Sequence, residues 1–172
     1  MGLALVTRLL LALLLAAATL GACAAPAESP SGTSPEPADG PPARFTIVPD
    51  DYHVPYAGTA EDGRRFFLSQ ELYARGTSYV GLFLWHADGT FDEVRADPAP
   101  SGSDGLVAER LAGLGDYVLE PIEVEPFLTK VGRTRFGWKV GRYPDGGEHY
   151  VSIVPGDFMV YYAPWDGLEY DT

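Results

Sequence analysis

The chain has one cysteine in 172 residues, Cys23. No internal disulfide can staple it, so whatever folds must do so on its apolar core. Asparagine is absent, which excludes N-linked glycosylation. Lysine occurs only at Lys130 and Lys139, and cations as a whole are scarce: 12 Lys and Arg face 24 Asp and Glu, for a formal net charge of −12. That balance argues against holding nucleic acid or anionic lipid headgroups by charge, since both need a basic patch. It favours solubility and repulsion from an anionic surface. Long hydrophobic runs are missing too. The unbroken stretch Leu9 to Leu20 is apolar apart from Thr19; as a helix it spans about 18 Å, against a bilayer core of roughly 30 Å. Catalytic spacings are equally scarce. There is no Gly-x-Ser-x-Gly, Ser-x-x-Lys, His-Glu-x-x-His, phosphate loop or dinucleotide glycine pattern.

What is present begins with that apolar run. Arg8 precedes it and small residues follow it, the three-part shape of an export signal. It closes on Leu20-Gly21-Ala22-Cys23: an aliphatic residue, two small residues, then the cysteine. The stretch resembles the lipobox of bacterial lipoproteins, a resemblance that covers the leader alone. It implies that residues 1–22 are a signal peptide and are removed. It implies further that the Cys23 sulfur receives a diacylglycerol, often with a palmitate-like acyl chain on the new amino group. The protein would then be secreted across the cell membrane and stay lipid-anchored on its extracytoplasmic face, with Cys23 an attachment point rather than a nucleophile. An uncleaved membrane anchor and cleavage by an ordinary signal peptidase are the alternatives; both leave Cys23 without a purpose.

Residues 23–43 form the next region. After Cys23 they are Ala, Pro, Ser, Gly and Glu apart from Thr33 and Asp39, with prolines at 26, 30, 35, 37, 41 and 42, and no aromatic or large aliphatic residue. Such a linker buries too little apolar surface to offset its ordering entropy. Proline biases it toward extended polyproline II, so about twenty residues reach roughly 60 Å. The expected role is a disordered spacer that lifts the domain off the bilayer.

Residues 44–172 remain as one globular domain, large enough to bury roughly two-thirds of its unfolded surface. Arg44 to Val48 reads as a first strand, and Tyr52 to Ala60, around Pro55, as irregular chain. Arg64 to Leu68 reads as a short strand, with Ser69 capping a short helix Gln70 to Arg75 that Gly76 closes. Tyr79 to Trp85 is apolar on both alternating faces, the pattern of a central strand covered on both sides. Asp88-Gly89 supplies a hairpin turn and Phe91 to Arg95 returns antiparallel. Leu106, Val107, Leu111 and Leu114 recur at helical spacing from Ser103 to Gly115. Tyr117 to Val124, punctuated by proline, reads as an edge. Thr134–Arg142, His149–Val154 and Asp157–Tyr162 read as strands separated by turns. The expected fold class is α+β: a mainly antiparallel sheet with one principal helix and a C-terminal three-stranded meander.

His53, His86 and His149 lie far apart, and the carboxylates form no complete calcium loop, so no catalytic residue, metal ligand or cofactor is assigned. The remaining clue is aromatic. Tyr161, Tyr162 and Trp165 crowd the C-terminus beside Asp166, and tyrosine or tryptophan among acids can recognise a protein or a sugar; the alternative is that they close the core. The function expected is therefore a cell-envelope lipoprotein with an outward-facing binding or interaction domain. Its partners would be the membrane, through the lipid on Cys23, and a possible protein, with no nucleic acid. The rival is an extracytoplasmic hydrolase of an envelope or extracellular substrate. That reading requires a concave site gathering residues such as Asp51 and His53 with a distant acid.

Overall fold

The computed structural model describes residues 40–168 and 170–172. The signal peptide, Cys23 and the linker up to residue 39 lie outside the described residues. The domain opens with strand β1 (Phe45–Ile47) and β2 (Tyr56–Thr59), then the long hairpin β3 (Arg65–Ala74) and β4 (Thr77–Trp85), and β5 (Phe91–Pro98). Helix α1 (Asp104–Ala112) follows, then the short β6 (Val118–Leu119) and β7 (Ile122–Val124). The C-terminal part is β8 (Leu128–Val131), β9 (Thr134–Arg142), β10 (His149–Val154), β11 (Val160–Tyr161) and β12 (Tyr170–Asp171). Two five-stranded antiparallel sheets result, ordered β5-β4-β3-β2-β6 and β12-β11-β10-β9-β8, with β1 paired to β7 beside them. The class is α+β, mainly antiparallel sheet with one principal helix.

The alternation of β4 explains the layers. Val80, Leu82 and Leu84 point to one side, where Phe66 and Leu68 of β3 meet Val107 of α1 and Leu114. Phe83 and Trp85 point to the other, where Phe67 meets Phe136, Trp138, Val151 and Ile153 from β9 and β10. Phe45, Ile47, Ile122 and Val124 of the β1–β7 pair join this second cluster. A strand apolar on both faces is thus one with a helix on one side and a second sheet on the other. Trp138 is the hub of the inter-sheet core: its ring lies 5.1 Å from Phe45, 5.3 Å from Phe67 and 5.7 Å from Tyr161.

Three segments depart from the pattern read in the sequence. Gln70 to Arg75 is not a helix, because the chain continues as strand from Arg65 to Ala74. Six residues fall well short of the twelve or so an isolated helix needs, whereas Leu72, Tyr73 and Ala74 each pair with β4. A bulge between Ser69 and Leu72 turns Gln70 and Glu71 outward and returns Leu72 to the core. Gly76 therefore closes a hairpin: Arg75 and Gly76 both have positive φ, 52° and 80°, as a two-residue type I′ turn requires. Residues 56–59 form β2 rather than irregular chain, with Pro55 standing just before the first paired residue, where its missing N–H is harmless. Finally, the three-stranded meander is the middle of five. Leu128–Val131 extends it on one side and the tail strand Tyr170–Asp171 on the other. No helix among the described residues is long and apolar enough to cross a membrane.

Candidate functional site

Alternation along the C-terminal sheet sorts its aromatics into two sets. Trp138, Val151, Ile153 and Tyr161 point into the inter-sheet core. Their neighbours Lys139, Tyr150 and Tyr162 point the opposite way, to the outer face. There Tyr150, opposite Gly141, lays its ring over the glycine: a Cβ at 141 would lie 2.2 Å from the ring. Tyr143, from the turn after β9, packs on Tyr150 at 5.1 Å and stacks nearly parallel to Tyr162 at 6.5 Å and 17°. The Tyr143 and Tyr162 hydroxyls are 2.9 Å apart, and Tyr162 donates to Asp171 Oδ2 at 3.1 Å. Lys139 Nζ stands 5.9 Å over the Tyr150 ring, within cation–π range. The hydrogen bond with Tyr143, then burial and the Asp171 carboxylate, push the Tyr162 pKa up. Tyr143 is 42% exposed. Together the three rings make an aromatic platform with a cation on one side and a carboxylate on the other.

Of the residues expected to bind, Tyr162 is on this platform and Tyr161 is not. Tyr161 is 1% exposed, packed on Phe45 and Trp138, and burial drives its hydroxyl pKa up. It is a core residue and is withdrawn from the patch. Trp165 fastens the tail instead: it packs against the core cluster, and its carbonyl accepts the Thr46 N–H at 2.8 Å. Asp166 is exposed and caps its own turn, accepting the Leu168 N–H at 3.0 Å. Tyr143 and Tyr150 were missed because they are distant from the tail in sequence. The signal that finds them is Gly141, a small residue directly opposite a tyrosine, once the register is known.

The tail is also tied to the start of the domain. Tyr170 donates to Asp50 Oδ2, and the Asp50 carboxylate accepts the N–H groups of Tyr52 and Val54, each at 2.8 Å. Burial, then that hydrogen bond, pushes the Tyr170 pKa up to about 12. For Asp50, burial works against the charge, but the hydrogen bonds from Tyr170 and the two backbone groups win and hold its pKa below 3.8. A lowered carboxylate pKa stabilises the fold above the unfolded value, and the contribution fades as pH falls through the folded one. Asp50→Asn is therefore expected to flatten the acid limb of a urea-melt stability profile below about pH 4. An unchanged acid limb would contradict the assignment.

A second cluster lies on the other sheet. His53, in the loop before β2, contacts Glu71 on the bulge of β3, with Nδ1 2.6 Å from Oε2. Ser69 lines the same cleft, as does Tyr52, whose ring packs 3.9 Å from the imidazole. The fold thus brings His53 to a distant acid, but the acid is Glu71, and Asp51 does not line the cleft. Ser69 is 4% exposed, and its hydroxyl already accepts the Glu71 N–H at 3.1 Å. The cavity is about 30 Å³, room for roughly one water. Among the described residues no group of three or more His, Cys, Asp or Glu is placed to hold a metal ion.

No family model, curated protein or solved structure matches the chain.

Proposed function

We propose that this is a lipoprotein of the cell envelope, anchored through lipid on Cys23. Its outward-facing domain binds a partner through the Tyr143–Tyr150–Tyr162 platform. The anchoring half rests on the leader and its Leu20-Gly21-Ala22-Cys23 motif. The binding half rests on one observation: three neighbouring tyrosines, with Tyr143 packed on both of the others, occupy the solvent side of a sheet whose opposite side already carries the core. Tyrosines on an outer face do not close a core, and pre-ordered aromatic rings are the residues that anchor binding surfaces at low entropic cost. Tyr143→Ala with Tyr162→Ala removes two rings from solvent-facing positions. The fold should tolerate the pair, while loss of a hot-spot ring costs a partner at least about 2 kcal/mol, some thirtyfold in affinity. Crosslinking the full lipoprotein in its native membrane and purifying it in mild detergent tests this. Retention of the same co-purifying component by the double variant would exclude the platform as the binding surface.

The alternative reading, an extracytoplasmic hydrolase, is favoured by the His53–Glu71 pair, since an imidazole held at Nδ1 by a carboxylate is the arrangement of a general base. The buried Ser69 hydroxyl and the water-sized cavity weigh against it. On this reading His53→Ala abolishes hydrolysis of ester, amide or glycoside reporters by the full chain; on the binding reading the wild-type protein shows no such turnover for the substitution to remove.

A further inference from the structure

The geometry points to an anionic polymer of the envelope as the ligand of this outward face, held by a basic groove at the end of the domain opposite the point where the chain enters it. The inference rests on the binding reading above and names the chemistry of its ligand. The formal charge of −12 conceals a local excess of the other sign. Arg75 at the β3–β4 turn, Lys130 on β8, Arg133 at the β8–β9 turn and Arg135 on β9 converge on an open groove of about 450 Å³. All four are exposed, no carboxylate lines the groove, and none of the four makes an ion pair among the described residues. Elsewhere Arg44, Arg64, Arg95 and Arg110 are each paired with an acid. Arg65 and Arg142 also lack an acid partner but are each spent on backbone carbonyls; in a chain with twice as many acids as bases, what sets the four apart is that they gather around one groove with no acid in its lining.

Two backbone features show that the excess is constructed at a cost. Lys130 and Arg135 stand directly opposite each other across the β8–β9 pair, where like charges repel. Arg75 occupies the first central position of a type I′ turn at φ 52°, a place that asparagine, aspartate or glycine fills with less strain. A bound anion relieves the first and makes use of the second. Arginine suits the task because its planar fork grips phosphate or carboxylate through two hydrogen bonds.

The groove lies at the end of the domain away from the point of chain entry. Arg44 donates to the Asp88 carbonyl, so the chain enters beside the β4–β5 turn. Arg75-Gly76 is at the other end of the nine-residue β4, about 30 Å away. A tether attached at the first end leaves the groove on the side away from its attachment. From the groove the outer face of β9 runs through Arg135 and Lys139 to Gly141 under the Tyr150 ring. Cations thus lead along one strand to the aromatic platform, a track for a chain of repeated anionic units rather than for a single ion.

The test uses the full lipoprotein in phosphatidylcholine nanodiscs, titrated with polygalacturonate, linear polyphosphate, inorganic phosphate alone and vesicles containing phosphatidylglycerol. Binding of at least one of the two polymers is expected, weakening as salt is raised. The triple variant Arg75→Gln, Arg133→Gln, Arg135→Gln should lose at least tenfold in affinity, and the control Arg44→Gln, Arg95→Gln, Arg110→Gln, which neutralises arginines paired with acids, less than threefold. Should the triple variant fold poorly, Arg133→Glu at the exposed turn tip is expected to weaken binding at least as much as any single neutralisation. Polygalacturonate and polyphosphate separate a carboxylate-bearing from a phosphate-bearing chain. Binding of neither polymer, equal affinity for inorganic phosphate alone, or tighter binding to phosphatidylglycerol vesicles would overturn the inference. Loss in the Tyr143→Ala, Tyr162→Ala variant with the arginine variant unaffected would leave the binding reading standing and remove this one.

Discussion

Trp138→Ala is expected to cost about 3–5 kcal/mol, the range for deleting a fully buried large aromatic side chain. The domain's total stability should fall within about 5–15 kcal/mol, so this one change removes at least about a fifth of it. The reason is position as much as size. Trp138 is 1% exposed and touches rings from three separate pieces: Phe45 of β1, Phe67 and Phe83 of β3 and β4, and Tyr161 of β11. Alanine there opens a cavity between both sheets and the β1–β7 pair, and none of them can close it without dragging its hydrogen-bonded partners along. Val140, two residues on and on the same side of β9, is 37% exposed. Val140→Ala should therefore cost under about 1 kcal/mol, since little transfer energy and no cavity are involved. Urea unfolding followed by circular dichroism gives both numbers. Similar losses for the two variants would mean that Trp138 is not the hub described.

Cys23→Ala is expected to move the whole population from the membrane fraction to the soluble fraction. A diacylglycerol supplies two acyl chains, each contributing about 0.8 kcal/mol per buried CH₂, and two chains anchor stably where one is marginal. Among the described residues no helix is long and apolar enough to cross a membrane, and a net charge of −12 repels an anionic surface overall. The change is therefore all-or-none, and detergent partitioning of the full chain reads it directly. A Cys23→Ala protein that still enters the detergent phase would overturn the lipid assignment and leave an uncleaved leader as the anchor.

The sequence disclosed the elements whose signal is local. Tyr79 to Trp85 announced a doubly covered strand because seven apolar residues in a row can be satisfied only between two layers. Leu106, Val107, Leu111 and Leu114 announced α1 by their spacing. The Gln70–Arg75 segment misled because Ser69 and Gly76 have the chemistry of helix caps, while the interaction that decides its state is pairing with β4, which local pattern does not carry. The tail misled in part for the same reason. Tyr161 and Tyr162 are adjacent in sequence and equally aromatic, and only the register with β10 places one in the core and one outside. The basic groove was invisible for a different reason. Arg75 and Lys130 are more than fifty residues apart, and net charge averages away a cluster that two hairpin turns assemble.

The central claim is that the outer face of the C-terminal sheet is where this domain meets its partner. Photo-crosslinking tests it most directly, with a light-activated residue placed at position 143 or 162 of the full chain, in its native membrane, and at position 109 on the exposed side of α1 as a control. The account predicts one defined envelope component captured from 143 and 162 and none from 109. Capture of the same component from 109 but not from 143 or 162 would contradict it and move the partner's surface to the helix side of the molecule.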